Sequence, residues 1–270
     1  MMKKHYDYVF VILVYRNVDD LVSCLESVAE KITNYRVVIV NAYYDEESKT
    51  IIENIAKENN CDFLNVENKG YGAGNNRGIE FVSEKYDFDY VIVSNPDITI
   101  EKFTSYVNDF KGMDIVAPRI ITRNGKNQNP ILVTDNKIAD YCLYIGYKKK
   151  QDMLVLLGFA LNKILREIFL KLCKNTVRRV YGAHGSFVIY SRNAIAKLTS
   201  NPYDENIFLF SEEFVIANKA KEFGLQTFYC PEVCIQHKRM EVWKSLIFQR
   251  MNILENLQFI TMNITENIKQ

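Results

Sequence analysis

Apolar residues follow two alternating patterns along the first 120 positions of the chain. Continuous apolar runs, most of them rich in β-branched residues, predict buried strands at 9–14, 36–40, 62–66 and 90–93. Between these runs, apolar residues recur with helical spacing at 18–32, at 45–59 and from a glycine-rich turn to about residue 86. This alternation predicts an α/β fold with a Rossmann-like, mainly parallel sheet flanked by helices.

The second half of the chain has a less regular pattern. Residues 119–152 are polar and contain turn signals, which predicts a loop, whereas residues 153–179 have the spacing of an amphipathic helix. Strands are then predicted at 186–190 and 226–230, and helices at 192–199 and 211–223. We therefore predict a single domain over residues 1–240 and a C-terminal helical tail at 241–270.

Composition narrows the class of protein. The formal charge of +1 provides no global field for nucleic acid, so no nucleic-acid partner is expected. Six irregularly spaced cysteines predict free thiols in a reducing, cytoplasmic compartment. Beyond the first strand, the longest apolar run has nine residues, whereas a membrane-spanning helix needs roughly 20. A spanning segment is therefore not expected.

Polar clusters follow all four predicted strands of the first half, at 15–17, 41–45, 68–76 and 95–97. Parallel sheets bind ligands at the carboxyl ends of their strands, so these clusters predict one binding edge. Residues 68–78 contain the spacing GxGxGNNxG, which allows close backbone approach to an anion before a helix. The dinucleotide fingerprint would instead follow the first strand, and glycine-rich loops also serve as packing devices.

Three further features carry potential chemistry. Asp97 closes the fourth predicted strand, where a carboxylate can bind Mg²⁺ or Mn²⁺, although Asn-Pro-Asp also forms ordinary turns. Glu212 and Glu213 open a helix after an aromatic run; the helix dipole favours acids there, and an apolar wall would suit one of them as a base. His237 lies beyond the end of a predicted strand, where an isolated histidine is usually structural.

Taken in order, these motifs resemble those of the family 2 glycosyltransferases, especially the bacterial branch of rhamnosyl and related cell-surface polysaccharide transferases. The matching segments are the clusters at 15–17, 41–45, 68–78 and 95–97, then 182–187, 208–213 and His237. The resemblance implies a fold of the A type of glycosyltransferases. It also implies a nucleotide-binding half at 1–118, an acceptor half at 180–240 and an insertion at 148–180.

The resemblance implies a role for each matching residue. Asp97 and His237 would bind a divalent metal, Mn²⁺ or Mg²⁺. Glu213, next to Glu212, would be the general base. The nucleotide of the donor would be bound by Tyr15, Asn17, Asn41, Gly70, Gly74, Asn76 and Asn95.

The implied reaction is a single displacement with inversion, from a UDP- or dTDP-sugar to a saccharide or polyprenyl-linked saccharide acceptor. Gly185 and Ser186 would border the donor sugar and the acceptor. Two residues depart from the family pattern, which usually has aspartate at both positions. Asn41 adds a hydrogen-bond donor where the base is read, and Glu213 moves its carboxylate outward by about one bond length.

The segment at 148–180 has nine basic and two acidic residues. One predicted helical face carries charge at Lys163, Arg166, Glu167, Lys171, Lys174 and Arg178. The other face carries Leu157, Leu161, Ile164, Leu165, Ile168, Phe169 and Leu172. Such a helix predicts peripheral contact with an anionic membrane at the inner face of the cell membrane. The alternatives are packing on its own domain or on a second subunit of a homodimer.

Two other functions compete with the transferase as explanations of these motifs. A nucleotidyltransferase would have a glycine-rich, basic loop directly after the first strand, and residues 14–18 lack it. A catalytically weak relative that binds a membrane or a partner would explain Asn41 but not the retention of Asp97, Glu213 and His237.

Overall fold

A computed structural model describes residues 3–16, 18–104, 107–209 and 212–238 of the chain. The strands are β1 (Lys4–Val14), β2 (Tyr35–Tyr43), β3 (Asp62–Glu67), β4 (Tyr86–Ser94), β5 (Ile98–Lys102), β6 (Ile115–Thr122), β7 (Arg178–Val180), β8 (Phe187–Ser191) and β9 (Thr227–His237). The helices are α1 (Asp19–Lys31), α2 (Glu46–Glu58), α3 (Tyr71–Lys85), α4 (Lys137–Lys148), α5 (Asp152–Cys173), α6 (Arg192–Lys197) and α7 (Glu212–Glu222).

All nine strands belong to one sheet in the order β3-β2-β1-β4-β8-β6-β9-β5, with β7 attached to β9. The first four strands run parallel, as predicted, and β6 also runs parallel to β9. β8 is inserted antiparallel between β4 and β6, and β5 and β7 are antiparallel to β9. The predicted mixed α/β class with helices flanking the sheet is confirmed.

Alternate side chains of β1 enter two separate cores. Phe10 packs in one cluster with Leu21 of α1 and Ile52 of α2. Val11 packs in the opposite cluster with Ile79 of α3, which also includes residues of α6 and α7. Because β1 is covered on both faces, its sequence is a continuous apolar run rather than an alternating one.

The predicted loop at 119–152 is wrong in two places. Its first residues complete β6, where Pro118 and Ile120 pair with β9. Farther along, Lys137–Lys148 forms α4, and the Asn136 side chain caps this helix by accepting a hydrogen bond from the amide of Ala139. The turn signals at Asn124-Gly125 and Asn129-Pro130 favoured a loop, whereas this largely apolar helix depends on packing against α5, which the local sequence does not show.

Other boundaries also differ from the predictions. β4 begins at Tyr86, where the third helix was predicted to end, and β9 continues to His237 instead of stopping at 230. β5 had no predicted counterpart. The predicted tail at 241–270 lies outside the described residues, so that prediction stands untested.

Helices α4 and α5 form a hairpin that we call the α4–α5 hairpin. Glycines bring the two helices together, since a Cβ on Gly158 would lie 2.6 Å from Cγ of Leu143, and one on Gly146 would lie 2.8 Å from Val155. Phe169 anchors the hairpin through an edge-to-face contact with Tyr229, with ring centroids 5.6 Å apart. Among the described helices, none has an apolar stretch long enough to span a bilayer.

Candidate active site

The carboxyl ends of β1 and β2 form one side of the candidate site. Tyr15 and Tyr44 meet edge to face there, with ring centroids 5.9 Å apart, and the Arg16 guanidinium lies 3.5 Å from the centroid of the Tyr44 ring. This group presents aromatic and guanidinium faces of the kind that stack on a planar ring. Sequence reasoning gave a role to Tyr15 and missed Arg16 and Tyr44. Asn17 lies outside the described residues.

Asn41 is buried at the end of β2, next to Val14 of β1 in the register. Its amide nitrogen donates a hydrogen bond of 2.7 Å to the side-chain oxygen of Asn65 on β3. Asn65 is exposed, so the pair links a buried amide to the surface of the binding edge. The role of Asn41 in reading the base remains a prediction.

The glycine-rich segment contacts the chain after residue 200. Gly70 has a φ of +105°, a region that favours glycine, and a Cβ there would collide with the backbone of Phe208. The amide of Tyr71 donates to the carbonyl of Phe208 at 2.8 Å. A Cβ on Gly74 would lie 2.5 Å from Cδ1 of Leu13. These glycines therefore bring α3 against β1 and against the segment that leads to α7.

Asn76 is buried and its side chain is occupied by protein partners. Its amide nitrogen donates to the carbonyl of Tyr203 at 2.9 Å, and its oxygen accepts from the amide of Tyr203 at 3.1 Å. The side chain of Asn76 therefore fixes the approach to α7. Contact between Asn76 and a nucleotide remains a prediction that these bonds do not support.

Asp97 and His237 meet at the ends of β4 and β9, as the predicted metal site requires. Both are buried, and Nε2 of His237 lies 3.3 Å from Oδ1 of Asp97. Nδ1 of His237 lies 2.7 Å from Oε1 of Gln128; because that oxygen can only accept, Nδ1 carries the proton. In a neutral ring the lone pair of Nε2 then faces the carboxylate. Carboxylate oxygen and imidazole nitrogen are ligands of divalent cations, and Gln128 orients the ring, so these residues fit such an ion.

His184 joins this pair to the next part of the site. Its ring centroid lies 6.1 Å from that of His237, and its Nδ1 accepts a hydrogen bond of 3.2 Å from the amide of Ser186. Burial lowers the pKa of His184 to about 3, with further lowering by the charges of His237 and Arg166. The ring is therefore neutral at physiological pH. His184 had no predicted role, although it lies inside a matching motif.

Glu213 lies at the start of α7, facing the strand that begins at Phe187. Its Oε1 accepts a hydrogen bond of 3.3 Å from the amide of Gly185, and a Cβ on Gly185 would lie 3.3 Å from the same oxygen. Burial raises the pKa of Glu213, which brings the carboxylate closer to the value suited to a base near neutral pH. Glu212, beside it, is also buried.

A cavity of about 160 Å³ opens beside these carboxylates. Five of the predicted site residues line it, namely Asn95, Gly185, Ser186, Glu212 and Glu213. Its walls include the buried rings of Tyr190 and Tyr203 and the partly buried ring of Tyr71, whose hydroxyl donates to the Gly185 carbonyl at 2.7 Å. The amide of Asn95 donates to the carbonyl of Ser186 at 2.9 Å. The structure thus connects the cavity to the end of the strand that precedes Asp97.

A second group of potential metal ligands lies at the amino ends of the parallel strands, away from the carboxyl ends that form the candidate site. His5, Asp7 and Asp89 have ligand atoms within 4.8 Å of one another, and Nδ1 of His5 also lies 2.8 Å from Asp87. His5 is exposed. This group lies at the amino ends of β1 and β4, whereas ligands of parallel sheets bind at the carboxyl ends, so it is separate from the candidate site.

Many solved structures resemble this fold. GalNAc-T7, crystallised with UDP, GalNAc and Mn²⁺, has a TM-score of 0.59 and 13% identity over 88% of this chain and 45% of its own. Residues 1–349 of TarS from S. aureus give 0.51 and 12% identity, covering 86% and 60% of the two chains. The mannosyltransferase PcManGT from Pyrobaculum calidifontis, with GDP-Man and Mn²⁺, gives 0.55 and 10% identity over 96% and 65%.

The chain spans between 45% and 65% of the lengths of these structures, and at such identities they show the fold alone. Among curated protein sequences, none matches significantly. The sequence pattern described as Glycosyl transferase family 2 matches residues 9–198, which is more than half of the chain. That match begins in β1 and extends past the Gly185–Ser186 wall of the cavity to the end of α6. The predicted glycosyltransferase class is confirmed: the chain belongs to glycosyl transferase family 2.

Proposed function

We propose that this chain transfers a sugar from a UDP- or dTDP-sugar to a hydroxyl of a saccharide acceptor, with inversion at the anomeric carbon. The acceptor is proposed to be polyprenyl-linked and the pathway to be bacterial cell-surface polysaccharide synthesis of the rhamnosyltransferase-like branch, at the cytoplasmic face of the membrane. One observation carries the proposal. The Asp97–His237 pair and the Glu213 carboxylate flank the same short segment, His184 to Ser186.

The proposed donor position follows from the polar edge of the sheet. Tyr15, Arg16 and Tyr44 offer stacking surfaces at the ends of β1 and β2, where the nucleotide would lie. Asp97 and His237 would hold a divalent metal beside the diphosphate. When bound, the metal supplies Lewis-acid stabilisation of the negative charge on the leaving diphosphate. Mn²⁺ accompanies the nucleotide ligands of GalNAc-T7 and PcManGT.

The proposed acceptor position is the cavity beside α7. Glu213 takes the proton of the acceptor hydroxyl while that oxygen attacks the anomeric carbon and the bond to the diphosphate breaks. The amide of Gly185 donates a hydrogen bond to Oε1 of Glu213 and holds it in place. The Tyr71 hydroxyl in turn donates to the carbonyl of Gly185. The donor sugar would lie between these groups and Asp97, so one displacement from the opposite side inverts the configuration.

Calorimetric titration with UDP and with dTDP, each with and without Mn²⁺, tests the proposal. One nucleotide should bind in the presence of metal, and Asp97→Asn should weaken that binding at least about tenfold. Asp89→Asn is the matched control, because Asp89 lies near the amino end of β4, whereas Asp97 follows its carboxyl end. If neither nucleotide binds with metal present, the transferase proposal fails, and a non-catalytic binding role becomes the better explanation.

A further inference from the structure

Helix α5 has an inner face that is fully accounted for by contacts within the protein. Gly158 lies against Leu143 of α4, and Phe169 lies against Tyr229 of β9. Asn162 accepts a hydrogen bond of 3.2 Å from Asn136 at the start of α4. These residues are spaced at 158, 162 and 169, so a single helical face makes the contacts. Phe169, predicted on the apolar face of the helix, packs inward on the chain's own domain, which was one of the predicted alternatives.

One exposed side of α5 is apolar from its first turn to its last and forms the stripe on the outer face of the hairpin. Met153 is 83% exposed, Ile164 is 56% exposed and Leu172 is 77% exposed, and they lie on one side of the helix. The same side of the helix includes the exposed side chains of Leu157, Leu165 and Ile168. The helix has 22 residues, which gives a stripe about 33 Å long. No described residue of the chain covers this stripe, although surface apolar residues in soluble proteins are usually scattered singly.

Cations surround the apolar stripe. From the turn between α4 and α5 to β7, the exposed basic residues are Lys148, Lys149, Lys150, Lys163, Lys171, Lys174, Arg178 and Arg179. Within the described part of the chain, none of them forms an ion pair with an acid. Residues 148–180 carry nine of the chain's 34 basic residues and two of its 33 acids. The positive charge is therefore concentrated around one exposed apolar face.

We propose that the outer face of the α4–α5 hairpin docks flat on an anionic lipid bilayer. The apolar stripe of α5 enters the boundary between headgroups and acyl chains, and the surrounding lysines and arginines contact acidic headgroups. A helix that lies in the interface needs one apolar face and a cationic border, without the length or uniform apolarity of a spanning helix. This arrangement is present here.

Charge favours a bilayer over the two other candidates for covering the stripe, which are a second copy of the chain and the chain's own segment at 239–270. A second copy docked face to face would place two strongly basic borders against each other, which like-charge repulsion opposes. The chain's own segment at 239–270 has four basic and three acidic residues, so it does not complement the cations. An acidic bilayer complements both the apolar stripe and its border.

The docking surface lies next to the candidate site. The chain leaves α5 through β7 and enters the cavity wall at Tyr181 within a few residues. The charge of Arg166, from the same helix, contributes to the low pKa of His184. A docked hairpin would therefore bring the acceptor cavity close to the headgroup layer. The docking itself does not depend on the proposed transfer; only its use for a lipid-linked acceptor rests on that function.

The test is flotation of the full chain with vesicles of phosphatidylcholine, alone or with on the order of 30% phosphatidylglycerol. Binding should require the acidic lipid and should weaken with added salt, since screening acts on exposed charges. The double variant Met153→Ser and Leu172→Ser should reduce partitioning at least about tenfold. Ile51→Ser is the matched control, because Ile51 is a 43% exposed apolar residue on α2.

A second pair of variants tests the cationic border. Lys163→Glu with Lys171→Glu should lower binding to acidic vesicles at least about tenfold, whereas Lys111→Glu should leave it unchanged. Equal binding to neutral and acidic vesicles, or undiminished binding by both double variants, would overturn the proposal. A dimer in solution that Leu172→Ser converts to monomer would also overturn it and assign the stripe to a second copy. Nucleotide titration needs no lipid, so failure of the docking and failure of the transferase proposal are separable.

Discussion

The parallel half of the sheet and the α4–α5 hairpin use apolar residues in opposite ways. In β1, Val9, Phe10, Val11 and Ile12 are all fully buried, and polar side chains begin where the strand ends. In α5, the apolar side chains of Met153 and Leu172 are largely exposed, and Asn162 faces the interior of the hairpin. The first arrangement builds a protein core with a ligand edge, whereas the second presents apolar surface to something outside the described chain.

This contrast indicates that the two regions have different roles and that substitutions can impair each role separately. In the sheet half, rigid neighbours position the side chains of the candidate site, as when the amide of Gly185 donates a hydrogen bond to the Glu213 carboxylate. The hairpin is attached through a small cluster around Phe169, Val180 and Tyr229, so its own packing is a minor part of the core. Substitutions in the two regions should therefore affect different measurements.

The largest expected effect is on catalysis. Glu213→Gln should lower kcat at least about 100-fold in a transfer assay with a water-soluble saccharide acceptor, because the amide cannot take the acceptor proton. Nucleotide binding and vesicle binding should persist. Since burial raises the pKa of Glu213, wild-type activity should fall as the pH drops through that raised value and the carboxylate becomes protonated.

Two observations would contradict this assignment. Retention of wild-type kcat by Glu213→Gln would remove the residue from the reaction. A variant that also loses nucleotide binding would show a folding defect instead of a lost base. The hairpin variant Leu172→Ser supplies the opposite pattern, with normal transfer to a soluble acceptor and weaker binding to acidic vesicles.

The next effect concerns stability in the sheet half. Burial alone would raise the pKa of Asp62, but hydrogen bonds from Arg36, Lys85 and Tyr86 outweigh it and lower that pKa to about 2. Asp62→Asn should therefore reduce the free energy of unfolding by about 2 kcal/mol near neutral pH. The stabilisation is present above the unfolded pKa of 3.8 and is lost as the pH falls toward 2. Urea unfolding at neutral and acidic pH measures this change, with the exposed Glu84→Gln as control.

A matched pair of glycine substitutions compares the two regions directly. A Cβ on Gly78 would overlap side chains of Val11 and Val40 in the core, and one on Gly158 would lie 2.6 Å from Leu143 in the hairpin. Gly78→Ala should lower the free energy of unfolding by about 1 kcal/mol, because overpacking exceeds the gain in helix propensity. Gly158→Ala should leave global unfolding almost unchanged and accelerate amide exchange in α4 and α5 alone. Equal global losses would mean that the hairpin is part of the main core.

The smallest expected effect is a gain. Burial, reinforced by the charge of Asp135, raises the pKa of Asp140 to about 6. Folding therefore favours the protonated acid, so Asp140 costs stability as the pH rises from 3.8 through about 6. Asp140→Asn should raise the free energy of unfolding above that pH by less than about 1 kcal/mol, because the side chain is only partly buried. No gain near neutral pH would show that Asp140 has an unrecognised partner in the folded state.

The sequence predicted the regions where local pattern determines structure. β1, β2 and β4 are buried on both faces, and their apolar runs are unmistakable beside the polar clusters at their ends. The pairing of Asp97 with His237 was predicted from an ordered set of motifs, whereas the hydrogen bond between Glu213 and the amide of Gly185 was not.

The sequence could not show what depends on distant neighbours. Asn76 was assigned to the nucleotide, yet it binds the backbone of Tyr203, 127 positions away. Gln128 orients His237 from a segment predicted to be a loop, and no local feature marks it. The inward position of Phe169 depends likewise on Tyr229, which joins the hairpin only when the sheet is complete.

The antiparallel insertion of β8 has a consequence for the order of folding. The backbone amide of Asn95 donates a hydrogen bond to the carbonyl of Ser186, although about ninety positions separate the two residues. Formation of the candidate site therefore closes a long loop, and we expect it to be a late step in folding. The whole α4–α5 hairpin lies within that loop. Removing it would shorten the loop by less than half and change the closure entropy by less than about 0.6 kcal/mol. The entropy of loop closure therefore sets almost no limit on the length of the hairpin.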